Sequence, residues 1–519
     1  MGLSRRELMK LSMLGSAALA VPTMRVASAA TQSRLAESAL PLQFTTPFAI
    51  PPIAVPTDYD DTTDYYQMTM RETGMEIAPG LITPTWAYDG VSPGPTVMNR
   101  FGRRTVIRHT NHLPSVHPQL GYQPWTSVHL HGSESLPEYD GYASDITLPG
   151  QYKHYRYPNS QESRTLWFHD HGVMHTGPNV FMGLAAQYWL QDDLEAALPI
   201  PKGRYDVPLI VQDMMLASDG TRLWNDNDSS GVFGDIILVN GRPWPVMQVE
   251  RRKYRFRILN ASVSRSYRWK LDSGQPLVVI RTDAGFCAAP QRVGSFRHGV
   301  AERYEVIIDF AKYPIGQRVV LKNLSNRNVI NYATTGNVMA FDVTSESTSK
   351  VNNAIPAVLN PSNETMALTE SMATSTRQFK LFRTNGRWTI NGKTWEDVVN
   401  SGFTATLANP QPDTVELWEI SNPSGGWNHP LHIHLIDFQI LSRNGKPAMA
   451  HERGPKDVVY VGENETVRLL MKFKPYHLGK YMIHCHNLVH EDHDMMGQFE
   501  VGTGGDDPQW SEPAAWEQG

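Results

Sequence analysis

A thiol, several imidazoles and a thioether fall within one short stretch near the C-terminus, His484-Cys485-His486-Asn487-Leu488-Val489-His490-Glu491-Asp492-His493-Asp494-Met495-Met496. Soft sulfur combined with imidazole suits copper, and a His₂Cys set with a weak axial Met is the blue electron-transfer arrangement. Cys485, His490 and Met495 supply three of the four groups, so one His must come from elsewhere. If Tyr481–His486 is a strand, its side chains alternate between two faces. Cys485 then points one way while His484 and His486 point the other. One strand would serve two metal centres, joined through the backbone of Cys485: a mononuclear electron acceptor wired to a second copper site.

Three more paired-His motifs lie upstream. Val128-His129-Leu130-His131-Gly132 and Phe168-His169-Asp170-His171-Gly172 sit in strand-like runs about 40 residues apart. Residues i and i+2 share a strand face, so each pair can address one metal cluster. His175 follows closely and reads as a supporting or surface His. Trp427-Asn428-His429-Pro430-Leu431-His432-Ile433-His434 holds the third pair, with an extra His three residues earlier. His429 is the missing imidazole of the blue site. Four pairs make eight imidazoles, two pairs early in the chain and two late. A cluster fed by both regions requires them to fold against each other, and an interface of that kind offers a cavity for a small ligand. Three coppers held by eight His would be electron-rich and open, and O₂ is the ligand such a site invites.

The elements that must position these residues are short strands. The 39 Gly and 36 Pro imply many turns, and the 519 residues imply about three domains. Charged residues at 19% and apolar residues at 40% fit a globular chain with substantial cores. A net charge of −5 argues against a nucleic-acid partner. The reading is all-β: a first domain over 30–193, with an irregular lead-in to residue 75; a second over 205–343; a Ser/Thr/Asn-rich linker over 344–376; and a third over 377–505. The second domain has one His, His298, and no paired motif, so its expected role is that of a spacer without metal. Of the two cysteines, Cys287 sits in an apolar run and reads as a buried structural thiol. With Cys485 on a metal, no intramolecular disulfide remains.

The N-terminus reads as a targeting segment. Ser4-Arg5-Arg6-Glu7-Leu8-Met9-Lys10 resembles a twin-arginine signal, followed by the apolar run Leu11–Val21 and the cleavage signature Ala27-Ser28-Ala29. The apolar run is too short to span a membrane as a mature helix. Removing residues 1–29 deletes four basic residues and one acidic residue, which takes the charge from −5 to −8. Export of an already folded chain to the periplasm or beyond agrees with a metal site and no disulfides. Neither membrane insertion nor oligomerisation is expected.

With these motifs in place, the sequence resembles the three-domain multicopper oxidases, and looks closest to the bilirubin oxidase and spore-coat laccase branch. The likeness runs from about Trp86 to Val501. His484–Met496, Phe168–His175 and Gly425-Gly426-Trp427-Asn428-His429 carry it most strongly. The resemblance implies three cupredoxin-like Greek-key β-barrels and four copper ions. A type 1 copper would take His429, Cys485, His490 and Met495. A type 2 copper would take His129 and His432, and a type 3 pair His131, His169, His171, His434, His484 and His486. Asp140 matches the family's acidic residue beside the trinuclear cluster, Glu491 the one near the O₂ and proton path, and Trp427 the Trp two residues before a copper His. The implied reaction is one-electron oxidation of a small organic donor at type 1, coupled to four-electron reduction of O₂ to water. Two alternatives belong to the same fold. A non-enzymatic cell-envelope protein would have lost copper ligands, whereas all twelve positions are present here. A cuprous oxidase often carries a Met-rich segment near type 1, whereas the 21 Met here are dispersed. Asp140 has a second reading as the turn residue of Tyr139-Asp140-Gly141, and Glu491 as a solvated charge.

Overall fold

A computed structural model describes residues 33–503 and the short strand Ala514–Ala515. The twin-arginine-like segment over 1–29 lies outside the described residues. Strands dominate and assemble into six sheets, two for each third of the chain. The first pair carries Thr63–Ala78, Arg104–His112 and Gln151–Tyr157 in one sheet, and Val97–Arg100, Val128–His131, Arg164–Asp170 and Ala185–Gln191 in the other. The second pair has seven and five strands, the third six and four. In each unit, alternating apolar side chains of both sheets meet in one core. Parallel pairings between non-consecutive strands, such as Thr63–Ala78 with Arg104–His112, give the crossed connections of a cupredoxin-like barrel.

The alternation that fills these cores also places the histidines. In Val128–His131, Val128 and Leu130 enter the first core, which leaves His129 and His131 on the opposite face. In Arg164–Asp170, Leu166 and Phe168 point inward and His169 outward. In the third unit Leu431 and Ile433 fill the core between His432 and His434. Tyr481, Ile483 and Cys485 do so on Gly479–Cys485. Register then aligns the pairs, His129 opposite His169 and His432 opposite His484.

Two expectations need correction. The lead-in is not irregular to residue 75, because Thr63–Ala78 is a strand of 16 residues. Tyr66, Met68 and Met70 alternate into the core there, a pattern masked by the neighbouring Asp and Thr residues. The linker read over 344–376 is shorter than its expected bounds. The strand Asn337–Glu346 runs into its start and the strand Ala373–Thr384 begins before its end. Between them Arg252 donates to the carbonyls of Ser349, Val351 and Asn352, and Leu359 is buried against the second unit.

Candidate metal centres

The outward faces of the two four-stranded sheets bring eight imidazoles together. His131, His169 and His486 form one triad, and His171, His434 and His484 a second, with the ligating atoms of each within 4.8 Å of one another. In the second, the Nε2 atoms of His171 and His434 each lie 3.1 Å from Nε2 of His484. His129 and His432 complete the set, their Nε2 atoms 3.4 Å apart. Rings from the first unit stack on rings from the third: His131 on His432 at 3.7 Å and His129 on His434 at 4.0 Å. All eight rings are buried. Burial holds His131, His169, His432, His434 and His486 neutral, well below the ordinary imidazole range, and brings His171 down to about 3.

Neutral imidazole is the ligating form, and the remaining ring nitrogens are oriented by partners. His129 Nδ1 faces the Asp140 carbonyl at 2.5 Å, His169 Nδ1 the Asp170 carbonyl at 2.7 Å, and His432 Nδ1 the Asp457 carbonyl at 2.8 Å. His434 Nδ1 lies 2.8 Å from Asp140 Oδ2, and His484 Nδ1 2.8 Å from Glu491 Oε2. Among the described residues, Nδ1 of His131, Nε2 of His169 and both nitrogens of His486 have no hydrogen-bond partner. An unpartnered buried polar atom costs about 1–3 kcal/mol. A borderline cation held by the triad would satisfy one nitrogen of each of these three rings, so this donor set fits copper.

Asp140 and Glu491 are the two carboxylates expected from the sequence at this cluster, and both reach it. Asp140 closes the turn Pro137–Tyr139, and the following Gly141 has φ +74° where a Cβ would meet the His129 backbone at 2.6 Å. The turn reading therefore holds for Asp140, while its side chain also reaches His434. Burial pushes its carboxyl up, against the pull of His129. Glu491 is buried rather than solvated. Burial raises its carboxyl, but His484 and His171 outweigh this and hold it below the usual range. Glu491 also reaches a cleft of about 870 Å³ whose lining includes Tyr122, Trp125, His175, Trp224 and Trp395. His175 stacks on Tyr122 at 3.7 Å and belongs to no ligand cluster.

On the other face of Gly479–Cys485 lies the sulfur site. Cys485 Sγ is 3.4 Å from His429 Nδ1 and 3.6 Å from His490 Nδ1, and the two Nδ1 atoms are 3.2 Å apart. Met495 is buried in the same core, and its carbonyl accepts from the Cys485 amide at 3.0 Å. Burial pushes the Cys485 thiol well up, so a bound cation is what would make it a thiolate. Trp427 is half-buried, 6.0 Å from His490 between ring centroids, and marks the way from this site to the surface. Cys287 is fully buried with its thiol pushed up to about 12, as a structural thiol should be.

Three supports escaped the sequence. Trp388 stacks on His490 at 3.9 Å. Asp457, bound by Arg303, stands 3.2 Å from His131 Nε2. The Ser230 carbonyl lies 3.2 Å from His490 Nε2. Arg303 and Ser230 belong to the second unit, which adds no residue to any cluster among the described residues yet is more than a spacer. None of these positions carries a spacing signal.

Comparison with known proteins agrees with this geometry. Multicopper oxidase family models match residues 69–194, 206–347 and 357–505. The bilirubin oxidase of Albifimbria verrucaria is 39% identical over 482 residues, which cover 88% of this chain and 81% of that protein. The laccase of Bacillus subtilis (strain 168) is 31% identical over 521 residues, covering 88% of this chain and 98% of the laccase. The crystal structure of the McoA multicopper oxidase from Aquifex aeolicus superimposes with a TM-score of 0.76 at 28% identity, covering 88% of this chain and 100% of McoA. Matches across all three two-sheet units, together with imidazole clusters and a His₂Cys site where copper would bind, place the chain in the multicopper oxidase family, oxidoreductases that use O₂.

Proposed function

We propose that the chain takes single electrons from small organic donors, such as tetrapyrroles, phenols and aminophenols, at a type 1 site, and passes them to a trinuclear site that reduces O₂ to two waters. The observation that supports this most is the two-faced strand Gly479–Cys485 with His486 beyond it: Cys485 on one face and His484 and His486 on the other. When bound, copper supplies one-electron redox chemistry at both places. By position, His429, Cys485, His490 and Met495 hold the type 1 ion, His129 and His432 the type 2 ion, and the two triads the type 3 pair.

The protein does the rest. Half-buried Trp427 receives the donor near the surface, two residues before the fully buried His429. Burial keeps water from the sulfur site. From Cys485, each neighbouring imidazole is one peptide away, a short covalent route. Asp140 and Glu491 orient His434 and His484 and stand where protons are needed as oxygen is reduced. Export by the twin-arginine route, read from residues 1–29, puts the folded enzyme in the periplasm or outside the cell.

The test is metal analysis and a donor panel. About four coppers per chain and a blue colour are expected after full copper loading, and one copper or fewer would refute the reading. Bilirubin, phenols, aminophenols, Cu(I) and Mn(II) compared by kcat/KM would rank the donors. A clear preference for Cu(I) would replace the organic-donor reading with a cuprous oxidase.

A further inference from the structure

The second unit reaches His490 through the turn over residues 226–231. Three successive non-glycine residues there, Asn227, Asp228 and Ser229, have φ of 50°, 59° and 62°. Asn and Asp tolerate this left-handed region, whereas Ser adopts it less readily. The turn is closed by the Ser230 and Gly231 amides, each donating to the Asp226 carbonyl at 2.9 Å, and by Asn227 Nδ2 donating to the Gly231 carbonyl at 2.6 Å. Its result is two carbonyls aimed at the third unit. Ser229 accepts from the Trp388 indole N–H at 2.8 Å. Ser230 faces His490 Nε2 at 3.2 Å and accepts from Asn487 Nδ2 at 3.3 Å. Asn487 is itself held by Ser264 of the second unit at 2.7 Å.

We infer that this turn is a positioning element for the sulfur site: it fixes the ring plane of His490 through the Ser230 carbonyl, and locks the Trp388 ring stacked on His490 through the Ser229 carbonyl. Nδ1 is the atom that faces Cys485 Sγ and His429. Of the two neighbours of Nε2, Asn487 Nδ2 at 3.0 Å can only donate and the Ser230 carbonyl at 3.2 Å can only accept, so a cation held on Nδ1 would place the proton on Nε2 and make the carbonyl its acceptor. The ring is thereby fixed by a hydrogen bond at one edge and by the stacked indole on its face, at an interplanar angle of 29°. A partner that fixes a ligating imidazole also tunes its basicity and hence the site. A unit with no ligand of its own would in this way govern electron entry. The inference rests on the type 1 assignment made above.

The experiment uses the copper-loaded full chain and two substitutions in the clamp. Ser229→Gly keeps the left-handed backbone and should behave as wild type. Ser229→Val puts a β-branched residue where φ is positive, so the turn should rearrange. Its blue absorption, copper hyperfine splitting and type 1 potential should all shift, and reduction by donor should slow about tenfold. The type 2 signal and the cluster copper should remain. Trp388→Phe keeps a ring on His490 but removes the donor to Ser229, and should shift the same signals in the same direction by less. A folded Ser229→Val with wild-type spectrum and potential would overturn the inference. Should Ser229→Val fail to fold, an unchanged Trp388→Phe would overturn it equally. A wild-type protein that is not blue after copper loading would instead refute the type 1 assignment, so the two failures are distinguishable.

Discussion

The sulfur site and the imidazole cluster share one strand but belong to different kinds of place. Cys485 points into the core of a single sandwich, where His429 and His490 come from the same unit. His484 and His486 point out of that sandwich into an interface, where half of the imidazoles come from a domain some 300 residues earlier in the chain. A site inside one core is as stable as that core. A site between cores exists only if the two units dock, and each of its ions would pull them together. The electron acceptor is therefore a local structure and the oxygen site an assembled one. They should fail separately.

The largest separation is expected from Cys485→Ser. The blue colour and the oxidation of organic donors should both vanish, because the thiolate is the absorber and the entry point. Cluster copper should persist, since no imidazole changes. Visible spectra with metal analysis would check this, and near-normal turnover in the variant would break the assignment. Asp140→Asn should act on the other side only. The amide is nearly isosteric and can still meet His434, but it cannot cycle a proton. In rapid mixing, reduction of the blue site by donor should match wild type while the reaction with O₂ slows by on the order of 10²–10⁴-fold. Were Asp140 a turn residue alone, reoxidation at matched copper content would be unchanged and only stability would drop.

How far the sequence could be read follows from the same division. The paired motifs and the Cys-His-Met stretch were legible because ligands to one ion must share a strand face or a tight turn, and spacing records that. The pairing of early with late motifs was legible by counting ligands. The contacts that orient ligands were not. Ser230 acts through a backbone carbonyl, which any residue possesses, and only the left-handed turn before it gives that carbonyl its aim. Asp457 looks like any acidic residue at a strand start until Arg303 and His131 meet it. Trp388 is one of 13 Trp and has no motif. The strand Thr63–Ala78 was missed because buried Tyr and Met alternate there with polar residues inside an Asp-rich stretch.

The smallest expected effect concerns stability and sharpens the contrast most directly. If the cluster joins the first and third units, removing copper should destabilise their docking. Ring nitrogens of His131, His169 and His486 would be left buried without partners, at about 1–3 kcal/mol each. Seen as ligand linkage, an ion present at a hundred to a thousand times its dissociation constant contributes roughly 2.7–4.1 kcal/mol. Fully stripped protein should therefore melt clearly below the loaded form, with the early and late units uncoupling in calorimetry. Cys485→Ser carrying its cluster copper should lie close to wild type, because the ion it lacks sits within one core. Measuring the three samples side by side tests the division itself. If the type 1-deficient variant melts as low as the stripped protein, the sulfur site is as much a staple as the cluster, and the distinction between a local and an assembled site fails.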